Sequence, residues 1–135
     1  IAFDGKTLAV DSQLTSGTLN FGIVDKVFKL KDGRILVGAG EFDKGPAIAI
    51  WLDGGEKPNL SESCNWSGLV LEKGKTPLAV DHSLRLAPAA IPWTGGTGEQ
   101  IAMAAMVLGL SPKEAVTLAC KLDIYTGGPV RTYKI

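Results

Sequence analysis

The sequence predicts an α+β fold in which two antiparallel sheets stack on each other with helices outside. Three observations predict it. Turn dipeptides, Asp4-Gly5 and Asp32-Gly33, separate short apolar runs in the first forty residues. A helix start, Ser111-Pro112-Lys113-Glu114, follows a second apolar stretch rich in alanine. The order of signals is strands, one helix, more strands, then two helices, which is an α+β order and not a β-α alternation.

The elements follow in turn. Residues 1–4 and 7–11 read as a hairpin across Gly5-Lys6. Residues 21–30 alternate in part, with Val24, Val27 and Phe28 apolar and Lys26 and Lys29 between them. With Ile35–Gly40 they form a second hairpin, so four strands open the chain. Phe42, Ala47, Ile48, Ile50, Trp51 and Leu52 mark a helix, and Asp53-Gly54-Gly55 supplies its C-cap. Gly45-Pro46 suits the first turn of that helix. Residues 54–64 read as a loop. Residues 66–71, 77–81 and 84–87 read as strands, the first two joined across Lys73-Gly74-Lys75, and residues 89–93 as one more. Residues 99–110 form a helix, and the Ser111 start opens a second one to Leu122, giving an αα-hairpin. Residues 130–133 close the chain as a strand. There is no internal repeat.

Composition excludes several functions. The chain has 135 residues, enough for one domain over residues 1–135 with a real core. Lys plus Arg and Asp plus Glu each number 14, so there is no basic excess of the kind that nucleic-acid binders show. No apolar run spans a bilayer and no signal-peptide pattern opens the sequence, so a cytoplasmic protein is expected. Cys64 and Cys120 have no metal-ligand spacing and read as two reduced thiols. His82 is the only histidine and sits at a strand end, which leaves little basis for a His-based site.

Several residues carry possible chemistry, each with a plainer reading beside it. In Leu122-Asp123-Ile124-Tyr125-Thr126-Gly127-Gly128-Pro129-Val130, a carboxylate and a hydroxyl three positions apart lie on one tight turn between a helix and a strand. They can orient a third group. Asp11 ends an apolar strand and reads either as a loop cap or as half of a buried Asp–Lys pair. Lys26 reads either as a solvated lysine or as that pair's cation, whose pKa burial would move. Gly38-Ala39-Gly40 reads as close strand packing or as a backbone N–H aimed at an oxyanion. Thr94-Gly95-Gly96-Thr97-Gly98-Glu99 reads as a tight turn, a site wall or an anion cradle. It lacks both the P-loop ending and the dinucleotide glycine spacing.

Taken in order, these segments resemble the proteasome β-subunit and HslV family of N-terminal-nucleophile (Ntn) hydrolases, most closely the short proteasome-like proteins of bacteria and their phages. The likeness covers nearly the whole chain. The opening Ile1-Ala2-Phe3-Asp4-Gly5-Lys6-Thr7-Leu8-Ala9-Val10-Asp11-Ser12 resembles the family's first hairpin and its following Asp. Asp25-Lys26-Val27-Phe28-Lys29-Leu30 resembles the strand with the active-site lysine, and Val37-Gly38-Ala39-Gly40 the Gly-x-Ala-Gly segment. Gly96-Thr97-Gly98 resembles the Gly-Ser-Gly turn, with Thr97 in the serine's place, and Asp123-Ile124-Tyr125-Thr126-Gly127 the Asp-x-x-Ser/Thr-Gly turn.

The resemblance implies a four-layer αββα sandwich and a threonine-type peptidase. Asp11, Lys26, Gly40, Thr97, Asp123 and Thr126 would be its catalytic set, with Gly40 giving the oxyanion-hole N–H. It implies a monovalent cation (Na or K) on the carbonyls of Cys120, Asp123 and Thr126 and no other cofactor. It also implies self-assembly into a ring or other homo-oligomer, peptide or unfolded-protein substrates and an ATPase unfoldase, with no nucleic acid and no membrane. The nucleophile in this family is an N-terminal threonine whose α-amine is the base, an arrangement that needs no histidine. Here it is expected just before Ile1. The alternatives are a catalytically inactive assembly or scaffold subunit of the same fold, and a small-ligand or anion-binding α+β domain using the loop 94–99. The helix pair usual in the family after its first hairpins is reduced to one helix and the loop 54–64.

Overall fold

A computed structural model describes residues 1–16 and 19–135. In chain order the elements are β1 (Ala2–Phe3), β2 (Thr7–Val10), β3 (Gln13–Ser16), β4 (Leu19–Ile23), β5 (Val27–Lys29), β6 (Ile35–Gly40), α1 (Lys44–Leu52), β7 (Trp66–Leu71), β8 (Leu78–Asp81), β9 (Leu86–Pro88), β10 (Trp93–Thr94), α2 (Glu99–Val107), α3 (Pro112–Leu122) and β11 (Arg131–Lys134). The fold is α+β, and its described strand pairs are antiparallel. The chain divides into two compact units, residues 1–25 with 90–135, and residues 26–89.

The first unit holds a four-stranded sheet in the order β10-β1-β2-β11 and the separate ribbon β3-β4. The β1–β2 turn closes because the Asp4 carboxylate accepts the Lys6 and Thr7 N–H groups at 2.8 and 2.7 Å. Its core is built from small residues, Ala2 and Ala9 facing each other across β1 and β2, with Ala102, Ala105, Ala115 and Val116 from the helices. Small side chains let both helices lie close to the strands. The α3 start forms as its sequence requires. The Ser111 hydroxyl accepts the Glu114 N–H, the Glu114 carboxylate accepts the Ser111 N–H, and Pro112 occupies the first turn.

The second unit holds the five-stranded sheet β5-β6-β7-β8-β9 and α1. Leu30, Leu36, Ile48, Cys64, Trp66, Val70, Val80 and Leu84 form its core. Gly38 and Gly68 face each other across β6 and β7, and the Trp66 indole lies over both. A Cβ at either position would stand 2.1 or 2.7 Å from the ring, so close packing accounts for Gly38.

Three expectations need correction. Residues 21–30 are not one strand: β4 ends at Ile23 and pairs with β3, while β5 begins at Val27 and pairs with β6. Lys26 therefore precedes its strand and is not inside it. The break falls where the Val24 N–H turns to the Ser12 carbonyl at 2.8 Å. The pair β3–β4 is additional to the two anticipated hairpins. Helix α2 stops at Val107, short of Leu110. There the Leu110 N–H bonds the Ala105 carbonyl and the Gly109 N–H the Met106 carbonyl, a Schellman termination with Gly109 in the left-handed region.

Candidate active site

The site begins where α3 ends. Asp123 caps the helix in extended backbone, its N–H reaching back to the Ala119 carbonyl at 2.8 Å. Its own carbonyl accepts the Thr126 N–H at 3.2 Å, so residues 123–126 make a tight turn. The carboxylate is the hub of that turn. One oxygen, Oδ1, accepts the Tyr125 N–H at 3.2 Å. The other, Oδ2, accepts two hydroxyls at once, Thr126 Oγ1 at 2.5 Å and Thr97 Oγ1 at 2.5 Å. The two hydroxyl oxygens are 3.4 Å apart.

Partial burial pushes the Asp123 carboxyl up. The bonds from the Thr126 and Thr97 hydroxyls and the Tyr125 N–H outweigh it and hold the group below its ordinary value. At neutral pH Asp123 is an anion. Both hydroxyl protons point at it, so the hydroxyl lone pairs are left to accept from a third group such as an amine. Thr126 is buried, whereas Thr97 is exposed. Thr97 reaches the hub because Gly98 beside it has no side chain. A Cβ there would lie 2.8 Å from Thr126 Oγ1 and 3.0 Å from the Ala119 methyl.

Asp11 is buried, 5% exposed, at the end of β2. Its Oδ2 accepts the Gly127 N–H at 3.2 Å and the Gln13 N–H at 3.3 Å. The Gly127 carbonyl in turn accepts the Ser12 and Gln13 N–H groups at 3.1 and 2.9 Å. The Ser12 hydroxyl donates to the Pro129 carbonyl at 2.8 Å, and Gln13 Nε2 to the Ile124 carbonyl at 2.9 Å. Residues 11–13 thus fasten the turn that carries Thr126. Sequence reasoning picked out Asp11 but missed Ser12 and Gln13; their only signal was polar residues directly after an apolar strand.

Ile1 extends the β1–β10 pairing. Its nitrogen donates to the Gly95 carbonyl at 3.0 Å, and the Gly95 N–H returns to the Ile1 carbonyl at 3.2 Å. Ile1 is buried. The segment 94–99 is poorly suited to an anion. The Glu99 N–H is taken by the Gly96 carbonyl, and Thr97 presents its hydroxyl to a carboxylate.

The structure brings Asp11, Thr97, Asp123 and Thr126 together in the first unit. Lys26 and Gly40 belong to the second. Lys26 is half-buried, and its carbonyl accepts the Gly38 N–H at 3.3 Å. Gly40 ends β6 at φ +121°, where an added Cβ would stand 1.8 Å from the Asn65 carbonyl oxygen. Cys120 lies on α3, and burial pushes the Cys64 thiol up, as expected of an unreactive core thiol. Among the described residues no group of three His, Cys, Asp or Glu could hold a metal ion, and no helix is long and apolar enough to cross a membrane.

Solved structures share this fold. The protein BPH of Thiobacillus denitrificans in complex with epoxomicin matches with a TM-score of 0.76 at 15% identity, over 98% of this chain and 94% of that one. A second structure of the same protein gives 0.72 at 16% identity, over 98% and 93%. Eukaryotic HslV from Trypanosoma brucei gives 0.72 at 15% identity, over 95% and 91%. No family model and no curated protein matches the sequence. The chain therefore has the fold of HslV, the fold that its motifs resemble.

Proposed function

We propose that this chain is a threonine-type peptidase of the proteasome β-subunit and HslV kind, with its nucleophilic threonine joined to the nitrogen of Ile1. One observation carries the reading. The Ile1–Gly95 pairing runs antiparallel, so a residue preceding Ile1 continues the register towards Gly96 and Thr97. That is the approach to the hydroxyl pair on Asp123, whose lone pairs suit an N-terminal amine. The match over nearly the full length of both chains supports a single domain with the four-layer αββα arrangement of that fold.

In this reading the threonine hydroxyl attacks the peptide carbonyl and passes its proton to the α-amine, which is near its pKa at neutral pH. Lys26 stabilises the alkoxide electrostatically, and the Gly40 N–H receives the developing oxyanion. The C–N bond breaks, the departing amine takes the proton from the α-ammonium, and water then hydrolyses the ester to regenerate the threonine. Thr97, Asp123 and Thr126 hold the α-amine, and Asp11 holds the turn that carries them. The family resemblance assigns a monovalent cation to the carbonyls of Cys120, Asp123 and Thr126, the first of them in the last turn of α3, where the helix dipole is negative. That all-oxygen donor set suits a sodium or potassium ion, which when bound would stiffen the turn. The working form is a cytoplasmic homo-oligomer of a bacterial or phage protein, acting on peptides or on unfolded protein delivered by an ATPase.

The test is the mass and N-terminal sequence of the native protein, together with hydrolysis of a fluorogenic peptide. The expected result is a Thr N-terminus, turnover lost on Lys26→Ala, and binding of epoxomicin, the ligand that the Thiobacillus protein holds. A native N-terminus other than Thr, Ser or Cys overturns the peptidase reading and leaves a non-catalytic assembly subunit.

A further inference from the structure

We propose that Gln13 is a positioning residue for this site, its side-chain amide holding the turn 123–127 where Thr126 and Thr97 reach the same oxygen of Asp123. The inference rests on the peptidase reading for its consequence, though not for its geometry. The turn leaves α3 with its tip unsupported by packing: Ile124 is 75% exposed and Tyr125 37%. What holds the tip is polar. Gln13 Nε2 donates to the Ile124 carbonyl at 2.9 Å, and the other face of the same amide lies against Gly127, where a Cβ would meet Oε1 at 2.1 Å. The backbone N–H of Gln13 meanwhile bonds the Gly127 carbonyl. One residue therefore grips both ends of the segment between Ile124 and Gly127, and Thr126 lies inside that grip. The glycine at 127 is the complement of the amide: any side chain there would displace it.

The Asp11 and Ser12 bonds fix Gly127 and Pro129, which lie beyond Thr126. Thr97 holds Asp123, where the turn leaves α3, and among the described residues the Gln13 side chain is the one that reaches Ile124, between Asp123 and Thr126. Its loss leaves the turn held at Asp123 and at Gly127 but not at Ile124 between them, so Thr126 can shift relative to the Asp123 oxygen that it shares with Thr97. The hydroxyl pair then loses its common acceptor. A misplacement of about 1 Å in a catalytic group can cost on the order of a hundredfold in rate.

The test compares Gln13→Met, which keeps length but removes the donor, with Gln13→Lys, which supplies a donor again. Amide hydrogen exchange in the full chain is read at Tyr125 and Thr126 against Ala115 and Val116 of α3. Peptide hydrolysis is measured in parallel. Losing one neutral hydrogen bond corresponds to roughly tenfold easier local opening. Gln13→Met is expected to speed exchange about that much at Tyr125 and Thr126 only. It should also lower kcat roughly ten- to a hundredfold with KM unchanged, since Gln13 touches the turn and not the substrate. Gln13→Lys should recover most of both. Wild-type exchange at Tyr125 and Thr126 in Gln13→Met overturns the proposal. So does loosening spread evenly into α3, or a lysine variant no better than the methionine one. A wild-type protein that hydrolyses no peptide sinks the peptidase reading, and the exchange pattern then decides alone whether Gln13 holds the turn.

Discussion

Replacing Thr126 by serine and, in parallel, by alanine separates its hydroxyl from its methyl. Thr126 is 8% exposed, so both groups contribute. Removing the methyl costs on the order of 1 kcal/mol by buried area. Removing the hydroxyl deletes a charge-assisted bond of 2.5 Å to Asp123, worth about 1.5 kcal/mol at the low end of the range for charged partners, the end appropriate to a half-buried carboxylate. Thr126→Ser should therefore cost about 1 kcal/mol and Thr126→Ala about 2.5 kcal/mol. At roughly 2.1 cal/mol/K per residue of unfolding entropy, a chain of 135 residues converts the 1.5 kcal/mol difference to about 5 °C in Tm. The gap should depend on pH in a fixed direction. The folded pKa of Asp123 is depressed, so its bonds stabilise fully above the unfolded carboxylate pKa near 3.9 and lose that stabilisation as pH falls through the lower folded value. Thermal unfolding of both variants at pH 7 and near pH 3 is the assay. The Ser–Ala gap should be largest at pH 7 and shrink in acid towards that of a neutral bond. Equal gaps at both pH values, or none, would refute the assignment of Asp123 as the charged acceptor.

Three further outcomes follow. Gly40→Ala places a Cβ against the Asn65 backbone at a positive φ, so it should destabilise by more than about 3 kcal/mol and show as loss of soluble expression or a Tm drop beyond about 10 °C. Asp11→Ala removes the acceptor of the Gly127 and Gln13 N–H groups and should cost about 1–3 kcal/mol in chemical denaturation, with peptide turnover abolished. Ser111→Ala removes the α3 cap and should lower stability by about 1 kcal/mol, read from the denaturation midpoint, while turnover stays at the wild-type level because Ser111 is at the far end of α3 from Asp123.

Much of this fold is readable because its helices advertise their ends. Ser111, Pro112 and Glu114 fix where α3 starts, and Gly54 and Gly109 stop α1 and α2 by the same left-handed termination. The ribbon β3–β4 gave no such sign. Its Leu19 and Ile23 are 65% and 61% exposed, so apolar residues there mark no core face, and period-two alternation has nothing to report. Lys26 was misread as an interior strand residue for the same reason: one run of alternation concealed two strands that pair with different partners. At the site, the spacing of Asp123 and Thr126 exposed their bond directly. Thr97 came only through the family resemblance, because it meets Asp123 across 26 residues of sequence.

The glycines of the site make room for its polar side chains. The run around Gly95-Gly96-Thr97-Gly98 allows a tight turn, a site wall or an anion cradle, the last because bare N–H groups at a helix start attract negative charge. The structure gives Gly98 a different task. It clears space for two hydroxyls to converge on a carboxylate, and that carboxylate would repel an anion. Gly127 clears space for the Gln13 amide, and Gly128, at φ +73°, for the Ser12 hydroxyl 2.8 Å from where its Cβ would be. Each of these glycines lies opposite a polar side chain that donates a hydrogen bond at the site. A substitution at 98 or 127 should therefore disturb hydroxyl and amide geometry before it disturbs the core, since the atoms first met are Thr126 Oγ1 and Gln13 Oε1 and not an apolar side chain. Gly98→Ala in particular should lower turnover by more than its loss of Tm explains. Turnover that falls no further than in a comparably destabilised control such as Ser111→Ala would mean that the glycine serves packing alone.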